Sequence, residues 1–300
     1  MLQAGMSRAD LLALVACSVV VGCLGVSMTL ADPSGRGERL SESLANLRAI
    51  GSAMEQYRAD NAGYTPLEGT TTRRRTGPNG QLTGVCGWQY GGKNTSAYWF
   101  NTFGGTFDVE AADRPLNAYL YPEFTFTAPT PPNRLPPNAP ERAQHQARVF
   151  RDPADVNGFN RNWPNRNNPA ISEYDDLGTS YLFNFTWLGQ LGGLSAQSFR
   201  NGTARLATGQ GVDPDRFVYL TDSIADVVVN QSSRNYRLTG NHGTENAGVT
   251  LFADGHAGMV TYRPGRERAS LVTPEYSMLF EDLGRPAGLE RRGLPESVSR

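Results

Sequence analysis

Two of the chain's three histidines, His242 and His256, bracket the stretch NHGTENAGVTLFADGH, with Asp254 and Gly255 directly before the second. Imidazole nitrogens and carboxylate oxygens are the ligand types of zinc and similar ions. His242, Asp254 and His256, joined by Asp222 from the upstream FVYLTD, therefore have the composition of a metal centre or of an acid–base site. The competing reading is structural. Val249 to Ala253 reads as a buried strand, Asp254-Gly255 as a turn dipeptide whose glycine supplies positive φ, and His256 to Tyr262 as the returning strand. In that hairpin Asp254 accepts hydrogen bonds from the turn's own amides and His242 ties the preceding loop to it. The turn type decides whether Asp254 and His256, two positions apart, converge. The structural reading is the one expected, with no metal and no cofactor. For catalysis, no serine or cysteine nucleophile has an evident partner, and the adjacent acids Asp175-Asp176 read as solvated loop.

The remaining chemistry is narrowed by composition. With 300 residues, 39% of them hydrophobic, and a net charge of -1, the chain is long enough for a sizeable core and has no overall attraction to nucleic acid. Lys93 is the sole lysine, so Schiff-base chemistry and P-loop phosphate binding have almost nothing to draw on, and neither G-x-x-x-x-G-K-[ST] nor G-x-S-x-G occurs. Of three cysteines, Cys17 and Cys23 fall in an apolar amino-terminal run and Cys86 stands alone outside it. No disulfide within the globular part is expected, and a lone thiol of this kind is expected to be buried.

The elements that must position these residues begin with that apolar run. Leu11 to Ala31 carries no charge over 21 residues, which as a helix spans roughly 30 Å, one bilayer crossing. A single-pass transmembrane helix over residues 6–31 is the reading adopted. Cleavable alternatives are a secretory signal ending at Thr29-Leu30-Ala31 and a lipobox at Val20-Val21-Gly22-Cys23. Neither accounts for Gly5 followed by Met6-Ser7-Arg8-Ala9-Asp10, which sets a carboxylate at the lip of the span. A charge there is costly unless paired. These residues resemble the leader of type IV pilins and type II secretion pseudopilins. The resemblance implies a leader at 1–5, cleavage by a prepilin peptidase between Gly5 and Met6, and pairing of Asp10 with the new amino terminus of a neighbouring subunit. The chain departs from the family pattern in having Met6 rather than phenylalanine, Asp10 rather than glutamate, and no basic residue before Gly5.

After Asp32-Pro33-Ser34-Gly35-Arg36-Gly37, expected to kink or interrupt the helix near Pro33, an apolar stripe resumes at Leu40, Leu44, Leu47, Ile50, Met54 and Tyr57. Spacings of three and four predict an amphipathic stalk helix over 38–62, opened or capped by Ser41 and closed by Asn61-Ala62-Gly63. The string NLRAIGSAMEQYRADNAGYTP, Asn46 to Pro66, resembles the second half of the long first helix of pilin-like proteins.

Residues 63–283 are expected to form a β-rich extracytoplasmic domain, with antiparallel strands and long loops favoured over further helices. Candidate strands are Gly87 to Tyr90, Ser180 to Thr186, Phe217 to Thr221, Val249 to Ala253 and His256 to Tyr262. Ala128 to Glu141 and Asn157 to Asn168 read as surface loops, and 284–300 as a loosely ordered tail. The strings CGWQYGGK, RPLNAYL, VFRDPAD, TSYLFN and FVYLTD, with the closing His…Asp-Gly-His, resemble a planctomycete-abundant group of pilin-like proteins with a large carboxy-terminal domain. That group commonly has a cysteine where Asp152 stands in VFRDPAD, which implies that a disulfide of some relatives is absent here.

The fold expected is α+β: a long amino-terminal helix packed on an antiparallel sheet. The function expected is that of a pilin-like structural subunit of a pilus, pseudopilus or secretion-associated assembly, not an enzyme. It would sit in the inner membrane with its domain in the periplasm or outside the cell. Its partners would be prepilin peptidase, other pilin-like subunits or itself, and the lipid bilayer, with no nucleic acid. The alternative is an anchored or secreted binding module in which Trp88-Gln89-Tyr90, Tyr98-Trp99-Phe100 and Trp163 contact glycan or an envelope protein, against core filling as the plainer use of those rings. Further behind is a metal-dependent hydrolase at the His242 cluster.

Overall fold

The structure is a computed structural model that describes residues 35–67, 75–76, 82–83, 85–103, 107–123, 140, 146–158 and 171–284. The chain divides into two compact units, Met1–Glu38 and Arg39–Arg300, and apart from the first residues of the opening helix all that follows concerns the second. The leader with Gly5, Met6 and Asp10, the span 6–31, Cys17, Cys23, Pro33, Trp163 and the tail from 285 lie outside the described residues, as do most of the two expected surface loops. Among the described residues no helix is long and apolar enough to cross a membrane.

Helix α1 runs Arg36–Asp60 and buries Ser43, Leu47, Ile50, Gly51, Ala53, Met54 and Tyr57. That is the expected stripe, with Leu40 and Leu44 half-buried at its start. Burying Leu47, Ile50, Met54 and Tyr57 stabilises by about 1.5–3 kcal/mol each before entropy is counted. The helix opens earlier than expected: Gly37 lies in its first turn and Ser41 inside it rather than at the cap. Its end matches expectation. Ala62 (φ 53) and Gly63 (φ 82) turn left-handed, and the Gly63 N–H donates to Arg58 O at 2.8 Å.

Strands β1 (Arg75–Thr76) and β2 (Leu82–Thr83) form a short antiparallel ribbon. Short helices α2 (Ala97–Phe103), α3 (Asn117–Leu120) and α4 (Glu173–Leu177) punctuate the following loops. The main sheet has four antiparallel strands in the order β3 (Tyr181–Phe183), β4 (Val218–Asp222), β5 (Ala247–Phe252), β6 (Ala257–Thr261). The class is therefore α+β with an antiparallel sheet, and these strands occupy four of the five expected places. Core residues of α1 share one apolar cluster with Tyr219, Leu220, Val249 and Leu251, while Val218, Phe252 and Val260 join a second with Ile224 and Val228. A register shift between Val218 and Leu220 lets the consecutive Tyr219 and Leu220 serve the same cluster.

Two expectations about this region are corrected. Gly87 to Tyr90 is a turn, not a strand, wrapped on a buried arginine described below. Helices also take more of the domain than expected: between β3 and β4 lies α5 (Ala196–Thr208), and α6 (Ser223–Val229) follows β4 at once. The ends of α5 carry ordinary signals, a Ser195 side chain accepting from the Ser198 N–H and Gly209 left-handed at the close. Gly202 faces Trp187 so closely that a Cβ would lie 1.9 Å from the indole ring.

Candidate functional site

The chemistry-bearing residues fall into two groups. At the tip between β5 and β6, Asp254 accepts the His256 N–H at 3.0 Å and pairs with His256 Nδ1 at 2.6 Å, both side chains exposed. Gly255 takes φ 88, and the imidazole stacks on Phe252 with ring centroids 4.2 Å apart. The Asp-Gly turn therefore closes the hairpin through its own amide, as expected. It also seats α1: a Cβ on Gly51 would lie 3.0 Å from Leu251 Cδ1 and 3.5 Å from Gly255 O, so the two glycines mark one close crossing.

His242 is elsewhere. Its loop is tightened by Gly243 N–H to Gly240 O and Gly240 N–H to Thr244 O, both 2.9 Å, and its Nε2 lies 3.0 Å from Asp152 Oδ2. The expected tie from His242 to Asp254 is not made; its partner stands 90 residues earlier in the chain. Asp152 Oδ1 also accepts from Ser43 Oγ of α1 at 2.7 Å and from the Ala154 N–H at 2.8 Å, while the Asp152 N–H donates to Ser180 Oγ at 3.0 Å. All three side chains are buried: Ser43 and Asp152 completely, His242 with 2% of its side chain exposed. The carboxylate sits between the hydroxyl and the imidazole. A nucleophilic triad needs the imidazole between them, so this order holds segments together and does not activate an oxygen.

Two further carboxylates belong to the same interior. Asp155 accepts the Glu173 and Tyr174 N–H groups that open α4, at 3.0 and 2.9 Å, and Ser180 Oγ at 2.7 Å. Burial nevertheless pushes it up to about 6. Asp222, at the end of β4, lies over Gly248, where a Cβ would come within 2.1 Å of Oδ1. Burial pushes Asp222 well above the usual carboxylate range, with the charges of Asp152 and Asp155 adding to the effect. His242, Asp254, His256 and Asp222 thus do not make one centre. Among the described residues no group of three or more His, Cys, Asp or Glu is placed to hold a metal ion.

The quoted strings fit one another through backbone carbonyls. Arg114 of RPLNAYL is buried, and its guanidinium donates to Gly91 O at 2.6 Å, Leu177 O at 2.5 Å, Val109 O at 3.5 Å and Trp88 O. Desolvation, the larger effect, pushes it down to about 10. Asn117 exchanges hydrogen bonds with Gly92, N–H to Oδ1 at 2.8 Å and Nδ2 to O at 2.7 Å. This is why CGWQYGGK forms a turn: the carbonyls of Trp88, Gly91 and Gly92 converge on the donors of Arg114 and Asn117, and the Gly87 carbonyl is left to accept from the Phe183 N–H of β3, at 2.9 Å.

The aromatic candidates are largely interior. Trp88 and Trp99 are buried with rings 4.9 Å apart, and Tyr90 is buried with its hydroxyl donating to Tyr181 O at 3.0 Å. Asp175 is half-exposed and pairs with Lys93 Nζ at 2.5 Å, as a loop acid would. Asp176 departs from that expectation, being buried and accepting from Ser96 Oγ at 2.7 Å and Trp99 Nε1 at 3.1 Å. Cys86 is buried, as expected. Sequence reasoning missed Ser43, Asp155 and Ser180. Asp152 did carry a signal, as the position where the resembling group has a cysteine. No protein-family model, curated protein or solved structure matches the chain.

Proposed function

We propose that the chain is a membrane-anchored, pilin-like structural subunit, not an enzyme, whose amino-terminal helix holds it in the inner membrane or packs among like helices while its α+β domain projects from the membrane. The observation that carries this reading is the attachment of α1. It follows the uncharged Leu11 to Ala31 after four residues and is fixed to the domain by a buried stripe and by the Ser43–Asp152–His242 contact. Such a helix transmits load from its amino-terminal end into the domain. Asp10, next to the apolar run, supplies the carboxylate that a neighbour's freed amine would neutralise after cleavage at Gly5 by a prepilin peptidase. The buried hydroxyl–carboxylate–imidazole order and the interior tryptophans give the hydrolase and glycan-binding alternatives little support.

Amino-terminal sequencing of the mature protein from its native membrane tests the reading. A start at Met6 is expected. A start at Asp32, or a lipid-modified Cys23, overturns it.

A further inference from the structure

Strand β6 is the edge of the main sheet, and among the described residues no strand pairs with its outer side, while just past its end the Arg263 N–H donates to the Tyr276 hydroxyl at 2.9 Å. The hydrogen bonds Phe252 N–H to His256 O and Tyr262 N–H to Asn246 O fix the phase of the β5–β6 ladder. Gly258 and Val260 therefore direct their backbone groups to β5, and Ala257, Met259 and Thr261 direct theirs away from it. Among the described residues those outward N–H and C=O groups have no hydrogen-bond partner. The strand reads Ala-Gly-Met-Val-Thr, with no charge and no proline, and a Cβ on Gly258 would meet nothing within 4 Å. Natural edges are commonly guarded by lysine, proline, a bulge or a covering element, and among the described residues this one has none of them.

We infer that β6 pairs antiparallel with β6 of a second copy of this chain, joining two four-stranded sheets across a two-fold axis at Met259. In that register Met259 faces its own counterpart and Ala257 faces Thr261, so each outward donor of one copy meets an outward acceptor of the other. The ends of the strand favour it. Asp254, beside its partner His256, is exposed before the strand, and Arg263 is exposed after it with no salt-bridge partner among the described residues. The two-fold sets Arg263 of each copy opposite Gly255, beside Asp254 of the other, so opposite charges meet at both ends. Parallel pairing would bring like charges together. The contact adds a self-association to the proposed assembly role without depending on it, since the mature amino terminus reports the one and a cross-link at β6 the other.

The test uses the full-length chain in mild detergent with Cys17→Ser and Cys23→Ser, leaving the buried Cys86. Met259→Cys in this background, oxidised with copper phenanthroline, is expected to give a covalent dimer, because facing residues of such a pair lie about 5.5 Å apart between Cα atoms, within disulfide reach. Glu267→Cys, exposed and off the edge, is expected to stay uncross-linked. Met259→Lys sets two ammonium groups face to face and is expected to halve the sedimenting protein mass while leaving the circular dichroism unchanged. A Met259→Cys chain that forms no covalent dimer overturns the pairing. So does a monomer whose Ala257, Met259 and Thr261 amides are protected from exchange, which would mean a segment of another protein occupies the edge.

Discussion

Replacing Asp152 by alanine removes the acceptor shared by Ser43 Oγ at 2.7 Å, Ala154 N–H at 2.8 Å and His242 Nε2 at 3.0 Å. These groups lie in the interior, so water cannot take the carboxylate's place. Each buried group left without its partner costs about 1–3 kcal/mol, and three groups lose theirs here. The three costs overlap, and a loss of about 3–6 kcal/mol is expected. A domain's whole stability is about 5–15 kcal/mol, so the variant should sit near the edge of folding. Urea unfolding of the full chain in detergent, followed by tryptophan fluorescence, measures the loss. A double-mutant cycle with Ser43→Ala isolates the tie to α1, for which a coupling of about 0.5–3 kcal/mol is expected for residues in one hydrogen-bond network. A loss below about 1 kcal/mol for Asp152→Ala, or additive effects of the two substitutions, would refute the claim that this contact fastens the helix.

Asp155 makes the domain's stability depend on pH in an unusual direction. Its folded value of about 6 exceeds the unfolded 3.8, so its contribution is fully present below 3.8 and is lost as pH rises through 6, a span worth about 3 kcal/mol. The urea midpoint of the native chain should therefore be higher at pH 5 than at pH 7, with the difference reduced in Asp155→Asn; equal pH dependence in the two chains would contradict this. Gly202→Ala drives a methyl into the Trp187 ring and should cost about 1–3 kcal/mol by overpacking, seen as a lower melting temperature and a shifted indole emission.

The parts of the fold that repeat locally were legible. Three- and four-residue spacing exposed the buried face of α1, and Asn61-Ala62-Gly63 marked its end, because both follow from helix geometry within a few turns. The β5–β6 hairpin was legible from an apolar run followed by Asp-Gly. The His242 contact was not: its partner Asp152, and Ser43 that also bonds Asp152, come from segments that only the folded domain brings together, and no spacing rule connects them. Gly87 to Tyr90 has the aromatic composition of a strand, yet the donors of Arg114 decide its shape from 26 residues away at Trp88 and 23 at Gly91. Helix α5 had its caps in the sequence at Ser195 and Gly209, but a composition rich in loops and short aromatic runs outweighed them.

Helix α1 is tied to the domain at two well-separated points. Ser43 meets Asp152 toward one end, and at the other Tyr57 packs edge-on against Tyr119, whose hydroxyl donates to Asp60 Oδ2 at 3.1 Å. Fourteen residues of helix, about 21 Å, separate Ser43 from Tyr57. Tension along the axis is therefore shared between both fastenings and slides them in shear, the geometry in which bonds must rupture together. Tension across the axis would peel the Ser43 end first, so the same joint is strong in one pulling direction and weak in the other.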